Sequence, residues 1–359
     1  MSLTRITSVE ELQRHLHAAM QLEHATIPPY LTALYSIHPG TNGEAYRIIR
    51  AVVVEEMLHL TLAANILNAV GGKPDLTTPD FVPEYPAYLP DGETDFQVDL
   101  QRFSKAAIET FLKIERPAPA EAAGKPRVVK RRKPAKGALR ASRVADNSEE
   151  HFYSIGEFYA DIGNGLTALQ EKLGAKALFA GDRAKQVGPE YYYSGGGEII
   201  PVTDLASAHA AIRLISEQGE GIGGGIFDYE NEISHYYRFE QLTLGRFYQK
   251  GDTPGQPTGG VVDVDWNAVY PVKTNPRLAD YNKDSELRAT AADFNAYYKR
   301  FLEMLTRCYD GQPQLLIEAV GEMFRIKEMA CQLMRNPIAG AGGEHAAPTF
   351  EIASVAVEV

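Results

Sequence analysis

The sequence predicts a mainly α protein: a four-helix bundle with a long crossover and additional carboxy-terminal helices. Three observations carry that expectation. Apolar residues recur at helical spacing over several long stretches, acids and histidines stand on those apolar stripes, and a proline-rich region separates the second long stretch from the third. Residues 8–37 place Leu12, Leu16, Ala19, Glu23 and Ile27 on one face, and Ser8 followed by Glu11 forms a capping-box signature. Pro28-Pro29 removes two backbone donors and is expected to bend or interrupt this helix. Residues 44–70 repeat the pattern through Val52, Glu56, His59, Ala63, Ile66 and Val70, and Gly71-Gly72 ends the run.

From residue 73 to about 149 the chain is a crossover in which PDFVPEYPAYLPDG reads as loop, FSKAAIETFLKIE as a short helix, and a basic segment follows. Helix is expected again over 150–173, through Phe152, Ile155, Phe158, Ile162, Leu166 and Leu169, then over 204–218 and 228–247, with a short strand at 198–202. Residues 251–276, rich in Gly, Pro and Asp, should cross the surface, and 284–309 and 314–335 are two further amphipathic helices. The division expected is residues 1–250 as the bundle, carrying a flexible basic insert at 117–146, and 251–359 as an extension whose two helices pack on it.

Composition narrows the function classes. A chain 44% hydrophobic and 23% charged has the make-up of a globular protein, and its amino terminus lacks a basic stretch followed by an apolar one. A cytoplasmic location without membrane association is expected. The net charge of −11 argues against nucleic-acid binding, although Lys125 to Arg143 holds nine Lys or Arg and no acid. Only two cysteines occur, Cys308 and Cys331, so a disulfide framework and a cysteine-rich metal site are both excluded. Any bound metal must use carboxylates and imidazoles.

A carboxylate on an apolar stripe is costly to bury unless it is paired or bound to metal. Glu23 lies between Ala19 and Ile27, Glu56 and His59 between Val52 and Ala63, and Glu232 and His235 precede Phe239 and Leu242. On a helix the Glu-x-x-His spacing puts both side chains on one face, one turn apart. Two such pairs with single glutamates from two other helices make the dinuclear carboxylate pattern of a four-helix bundle. The ligand set read from the sequence is Glu23, Glu56, His59, Glu157, Glu232 and His235. Glu157 lies beside its helix's main stripe, so a solvated acid is the competing reading there, and Glu220 in QGEG competes with Glu232. Glu55 reads as a flanking acid and His24 as a hydrogen-bonding residue rather than a ligand. Beyond the metal ligands no catalytic residue is legible.

These segments resemble the ferritin-like domain of the iminophenyl-pyruvate dimer synthases, the VioB-type proteins. The resemblance rests on LEHATIPPYLTALYSI around Glu23, IRAVVVEEMLHLTLAANILNAVGG around Glu56 and His59, SIGEFYADI around Glu157, and the QGEG and EISHYYRF segments, with APTFE near the carboxyl end. It implies a shared ferritin-like bundle and metal site, and for two ions held by hard carboxylates and two imidazoles iron is expected in first place and manganese in second. It also implies a stand-alone bacterial protein, shorter than full dimer synthases, that acts on a small aromatic or amino-acid-derived metabolite and is compatible with homo-oligomerisation. The expected function is a di-iron oxidoreductase using O₂ or peroxide. The competing expectations are a manganese-catalase-like peroxide dismutase and a non-catalytic protein for metal binding or iron handling.

The basic insert offers almost nothing apolar to bury. Deleting residues 118–145 should leave thermal unfolding unchanged, and loss of folded protein on deletion would refute this reading.

Overall fold

This computed structural model describes residues 6–90, 96–117, 154–192, 195–283 and 285–355. Helices α1 (Val9–Ser36), α2 (Gly43–Ala69), α4 (Ile155–Leu173) and α6 (Leu205–Glu220) form the bundle. Two ten-residue helices, α3 (Lys105–Ile114) and α7 (His235–Leu244), pack on each other, α3 also touching α1 and α7 touching α2. A single turn, α5 (Ala175–Leu178), follows α4. Helices α8 (Glu286–Tyr309) and α9 (Leu315–Met334) pair with one another and lie against α2 and α1, respectively. The basic insert falls almost wholly outside the described residues.

The starts of the helices follow from their caps. Ser8 Oγ accepts the Glu11 amide at 3.2 Å, while the Glu11 carboxylate reaches back to the Thr7 amide at 2.7 Å, one residue earlier than in a standard capping box. The side chains of Ser104, Ser154 and Asp204 likewise accept the amide three residues on at the starts of α3, α4 and α6. After α2 the chain reverses at Gly71, whose φ of 74° is a left-handed conformation open to glycine.

Of the bend or interruption expected at Pro28-Pro29, the interruption does not occur: α1 runs through both prolines as one element. Pro29 cannot donate to the Ala25 carbonyl, and the Tyr85 hydroxyl supplies that bond instead at 2.8 Å. Tyr85, from the crossover, is itself buried, so the crossover repairs the helix it covers.

Two other expectations fail for local reasons. Residues 198–202 form no strand: the Val202 amide and carbonyl bond to the Gln186 side chain, and the Ile200 carbonyl accepts from Asn65. Among the described residues only isolated β-bridges occur. The helix expected from residue 228 begins at His235, because the Asp228 carboxylate accepts the amides of Glu230 and Glu232 and Asn231 adopts φ 62°. An acceptor side chain at that spacing holds a turn in competition with helix.

Helix α2 is long and apolar enough to cross a membrane, with a mean hydropathy of 1.2 over 18 residues, but 83% of that window is buried inside the protein. It is the core helix of the bundle. The carboxy-terminal pair is joined to it by buried polar contacts: the Tyr309 hydroxyl meets Thr61 at 3.0 Å, the Tyr309 carbonyl accepts from Asn68 at 2.8 Å, and Tyr298 meets His24 on α1 at 2.8 Å.

Because Tyr85 replaces a missing helix donor, Tyr85→Phe leaves the Ala25 carbonyl buried without a partner. A loss of about 1–3 kcal/mol is expected in urea unfolding, and an unchanged midpoint and slope would show that the bond contributes nothing.

Candidate metal centre

The bundle interior gathers acids and imidazoles that burial alone would exclude. Glu23 on α1, Glu56 and His59 on α2, Glu115 at the end of α3 and His235 at the start of α7 are each at most 2% exposed. Their ligand atoms form two groups of three: Glu23, Glu56 and His59, and Glu56, Glu115 and His235, each group within 4.8 Å. Glu56 belongs to both.

Both histidines face the cluster through Nδ1. His59 Nδ1 lies 3.5 Å from Glu23 Oε2 and 3.9 Å from Glu56 Oε2. His235 Nδ1 lies 2.9 Å from Glu56 Oε1 and 3.4 Å from Glu115 Oε2, without the alignment of a hydrogen bond to either. The two rings stack with centroids 5.4 Å apart. Their outward nitrogens are held: His59 Nε2 by Gln218 Oε1 at 2.9 Å, and His235 Nε2 by Glu55 Oε2 at 2.8 Å.

The carboxylates are fixed by hydroxyls. The Tyr159 hydroxyl donates to Glu23 Oε1 at 2.5 Å and the Tyr30 hydroxyl donates to Glu115 Oε1. Thr26 Oγ1 donates to the Glu23 carbonyl at 2.8 Å and lies 3.3 Å from Glu56 Oε2. Burial first, and the facing carboxylates second, hold both phenols well above their ordinary range, so they remain protonated donors.

The electrostatics are those of like charges crowded in a dry core. Burial, then the charge of Glu115, push the Glu56 carboxyl well above the carboxylate range. Burial also works against charge on Glu23, but the His59 imidazole outweighs it and keeps Glu23 below that range. Burial alone would lower His235; the hydrogen-bonding reach of Glu115, Glu55 and Glu56 reverses this and raises it well above the imidazole range. Both shifts favour the protonated forms of Glu56 and His235.

Of the residues read from the sequence, the structure brings together Glu23, Glu56, His59 and His235. Glu232 is elsewhere: its side chain is 67% exposed, 3.8 Å from Arg238, because the turn at Asp228 takes it off the helix on which the Glu-x-x-His spacing relied. Glu157 is part-buried in the first turn of α4, its amide bonded to Ser154, and belongs to neither group of ligands. Glu220 turns to the α4 start, accepting the Gly156 amide at 2.7 Å. His24 is buried against Phe81 and Tyr298, with burial pushing its imidazole down to about 3.

Glu115 was missed, although it continues the stripe Ala107 and Phe111 at four-residue spacing and so carries the same signal as Glu23. Gln218 was missed because a neutral amide on a helix raises no alarm.

The donor set suits a hard or borderline divalent ion pair: carboxylate oxygens, two imidazole nitrogens and no thiolate, with a buried His235 nitrogen lacking an aligned partner. A family model described as ferritin-like matches residues 16–244. The chain belongs to the ferritin-like family. A solved ferritin-like protein from Caulobacter vibrioides shares the fold, with a TM-score of 0.58 at 23% identity over 92% of this chain and 97% of that one. This ferritin-like chain is also similar to dichlorochromopyrrolate synthase of Lentzea aerocolonigenes, 25% identical over 87% of the chain and 30% of the relative. It is similar too to 2-imino-3-(indol-3-yl)propanoate dimerase of Chromobacterium violaceum, 23% identical over 96% of the chain and 34% of the relative. The chain spans about a third of the length of these curated relatives. The ferritin-like bundle with its crossover is therefore the fold, as the sequence suggested.

Because protons held at Glu56 and His235 compete with metal for the same atoms, Mn²⁺ loading near neutral pH should release protons, and affinity should rise with pH. Calorimetry in buffers of different ionisation enthalpy reads the release directly. Binding with no proton exchange would contradict this protonation.

Proposed function

We propose that the protein is a dinuclear non-haem metal oxidoreductase, loaded with iron in first place, that acts on a small aromatic or amino-acid-derived metabolite. The observation that carries the reading is that Glu56 serves two buried ligand triads, each completed by one histidine Nδ1 and one further carboxylate. Glu23 and His59 would hold one ion, Glu115 and His235 the other, and Glu56 would bridge. Such a pair, when bound, supplies redox equivalents and a binding place for O₂ or peroxide.

The residues around the cluster do three things for that chemistry. Tyr30 and Tyr159 orient the outer carboxylates, Glu55 and Gln218 orient the imidazoles, and the packing of Tyr30, Phe111 and Phe239 excludes water. Exclusion of water strengthens each electrostatic contact inside. The substrate class is taken from the similar proteins, one of which is named for dimerising an indolyl imino acid. Oxygen consumption by iron-loaded protein supplied with aromatic imino acids tests the reading. Turnover of peroxide alone by manganese-loaded protein would replace it with dismutation.

Metal should also stabilise the fold, since it cancels charge that otherwise repels. At a hundredfold excess over the dissociation constant the increment is about 2.7 kcal/mol. Both His59→Ala and His235→Ala should lose much of it, whereas His24→Ala should keep it. Thermal unfolding with and without metal measures the difference, and an undiminished increment in both site variants would remove the dinuclear reading.

A further inference from the structure

The two histidines of the cluster are held from behind by different chemistry. His59 Nε2–H points at the amide oxygen of Gln218 at 2.9 Å. The orientation of that amide is fixed, because its nitrogen donates to the Gly196 carbonyl. His235 Nε2–H points instead at a carboxylate oxygen of Glu55 at 2.8 Å. The other oxygen of Glu55 lies 3.1 Å from the Arg238 guanidinium, one turn along α7. Glu55 is 6% exposed and Gln218 4% exposed, so neither contact is diluted by solvent.

An imidazole that donates to a carboxylate is a stronger electron donor through its other nitrogen than one donating to a neutral amide. Both rings face the cluster through the same atom, Nδ1, and the carboxylate shared between the halves is the same Glu56. The inner ligand sets therefore match in kind, one imidazole and two carboxylates each, and the difference lies behind them. We infer that the centre is built unequal: Glu55 makes the His235 half the tighter site, which fills first, while the His59 half, backed by Gln218, fills second and exchanges more readily. This rests on the dinuclear reading above and adds an order of loading to it. Glu55 and Gln218 are positioning residues, acting on the metal through a histidine. A centre loaded in this order is able to hold two different ions, the more strongly bound one in the His235 half.

The halves can be separated. In full-length protein stripped of metal, His59→Ala keeps Glu56, Glu115 and His235, and His235→Ala keeps Glu23, Glu56 and His59. Titration with Mn²⁺ alone, followed by calorimetry and by EPR and corrected for the protons released on binding, should give His59→Ala an affinity about 10–100-fold above that of His235→Ala, the usual effect of a carboxylate behind a metal-bound histidine. Adding Glu55→Gln should remove that advantage in the His59→Ala background and change nothing in the His235→Ala background. A general structural disturbance would weaken both. Should Glu55→Gln upset folding by leaving the partly buried Arg238 without this carboxylate, the pair Glu55→Gln and Arg238→Gln removes both charges and repeats the test. Equal affinities in the two histidine variants, or equal weakening of both by Glu55→Gln, would overturn the inference. Wild-type protein that binds fewer than two Mn²⁺ would overturn the dinuclear reading itself.

Discussion

The bundle interior is organised around Glu56, a buried carboxylate with Glu23 gathered on one side and Glu115 on the other. Three carboxylates in low dielectric cannot all be ionised unless something positive stands between them. The two histidines provide part of that, and the same crowding of carboxylates pushes Glu56 and His235 toward their protonated forms. Such an arrangement is poor economy for stability, because apolar side chains of similar size would pack in its place without desolvating charge. Its presence in the core is what a metal site would require, and the hydroxyls of Tyr30, Tyr159 and Thr26 hold the carboxylates in fixed orientations.

The same constraint accounts for features remote from the cluster. Helix α1 must carry Glu23 at its middle and continue past Pro29, and it does so because Tyr85 from the crossover supplies the lost hydrogen bond. Gly196, at φ 77°, comes so close to α2 that a β-carbon there would stand 2.6 Å from Glu55 Cγ. The loop can reach the Gln218 amide only because no side chain is present, so the glycine-rich stretch is part of how His59 is held.

The long helices were legible because their stripes are long and periodic, and for the same reason Glu23, Glu56 and His59 could be read from spacing. His235 was legible for a reason that proved incomplete. Its Glu-x-x-His partner Glu232 never joins the helix, since Asp228 captures the backbone amides that the helix would need. The acid that completes the group around His235 came instead from Glu115, at the end of a ten-residue helix that looked like part of a connection. Short-range pattern locates an acid on a stripe, but not which stripes meet. That depends on tertiary packing, here of Phe111 against Phe239 and Tyr30.

This division between long and short elements bears on how the centre works. Glu23, Glu56 and His59 ride on α1 and α2, whose mutual packing is extensive, so that half is defined by the bundle itself. Glu115 and His235 ride on α3 and α7, each ten residues long and too short to be helical without tertiary support. Glu55 resolves the difficulty. It stands on α2 beside Glu56, and by holding His235 and Arg238 together it ties the first turn of α7 to a long, largely buried helix of the bundle. One carboxylate thereby fixes the position of the less supported imidazole, and in a loaded centre it would strengthen that imidazole as a donor, a reason for a charged residue to occupy that place despite the cost of burying it.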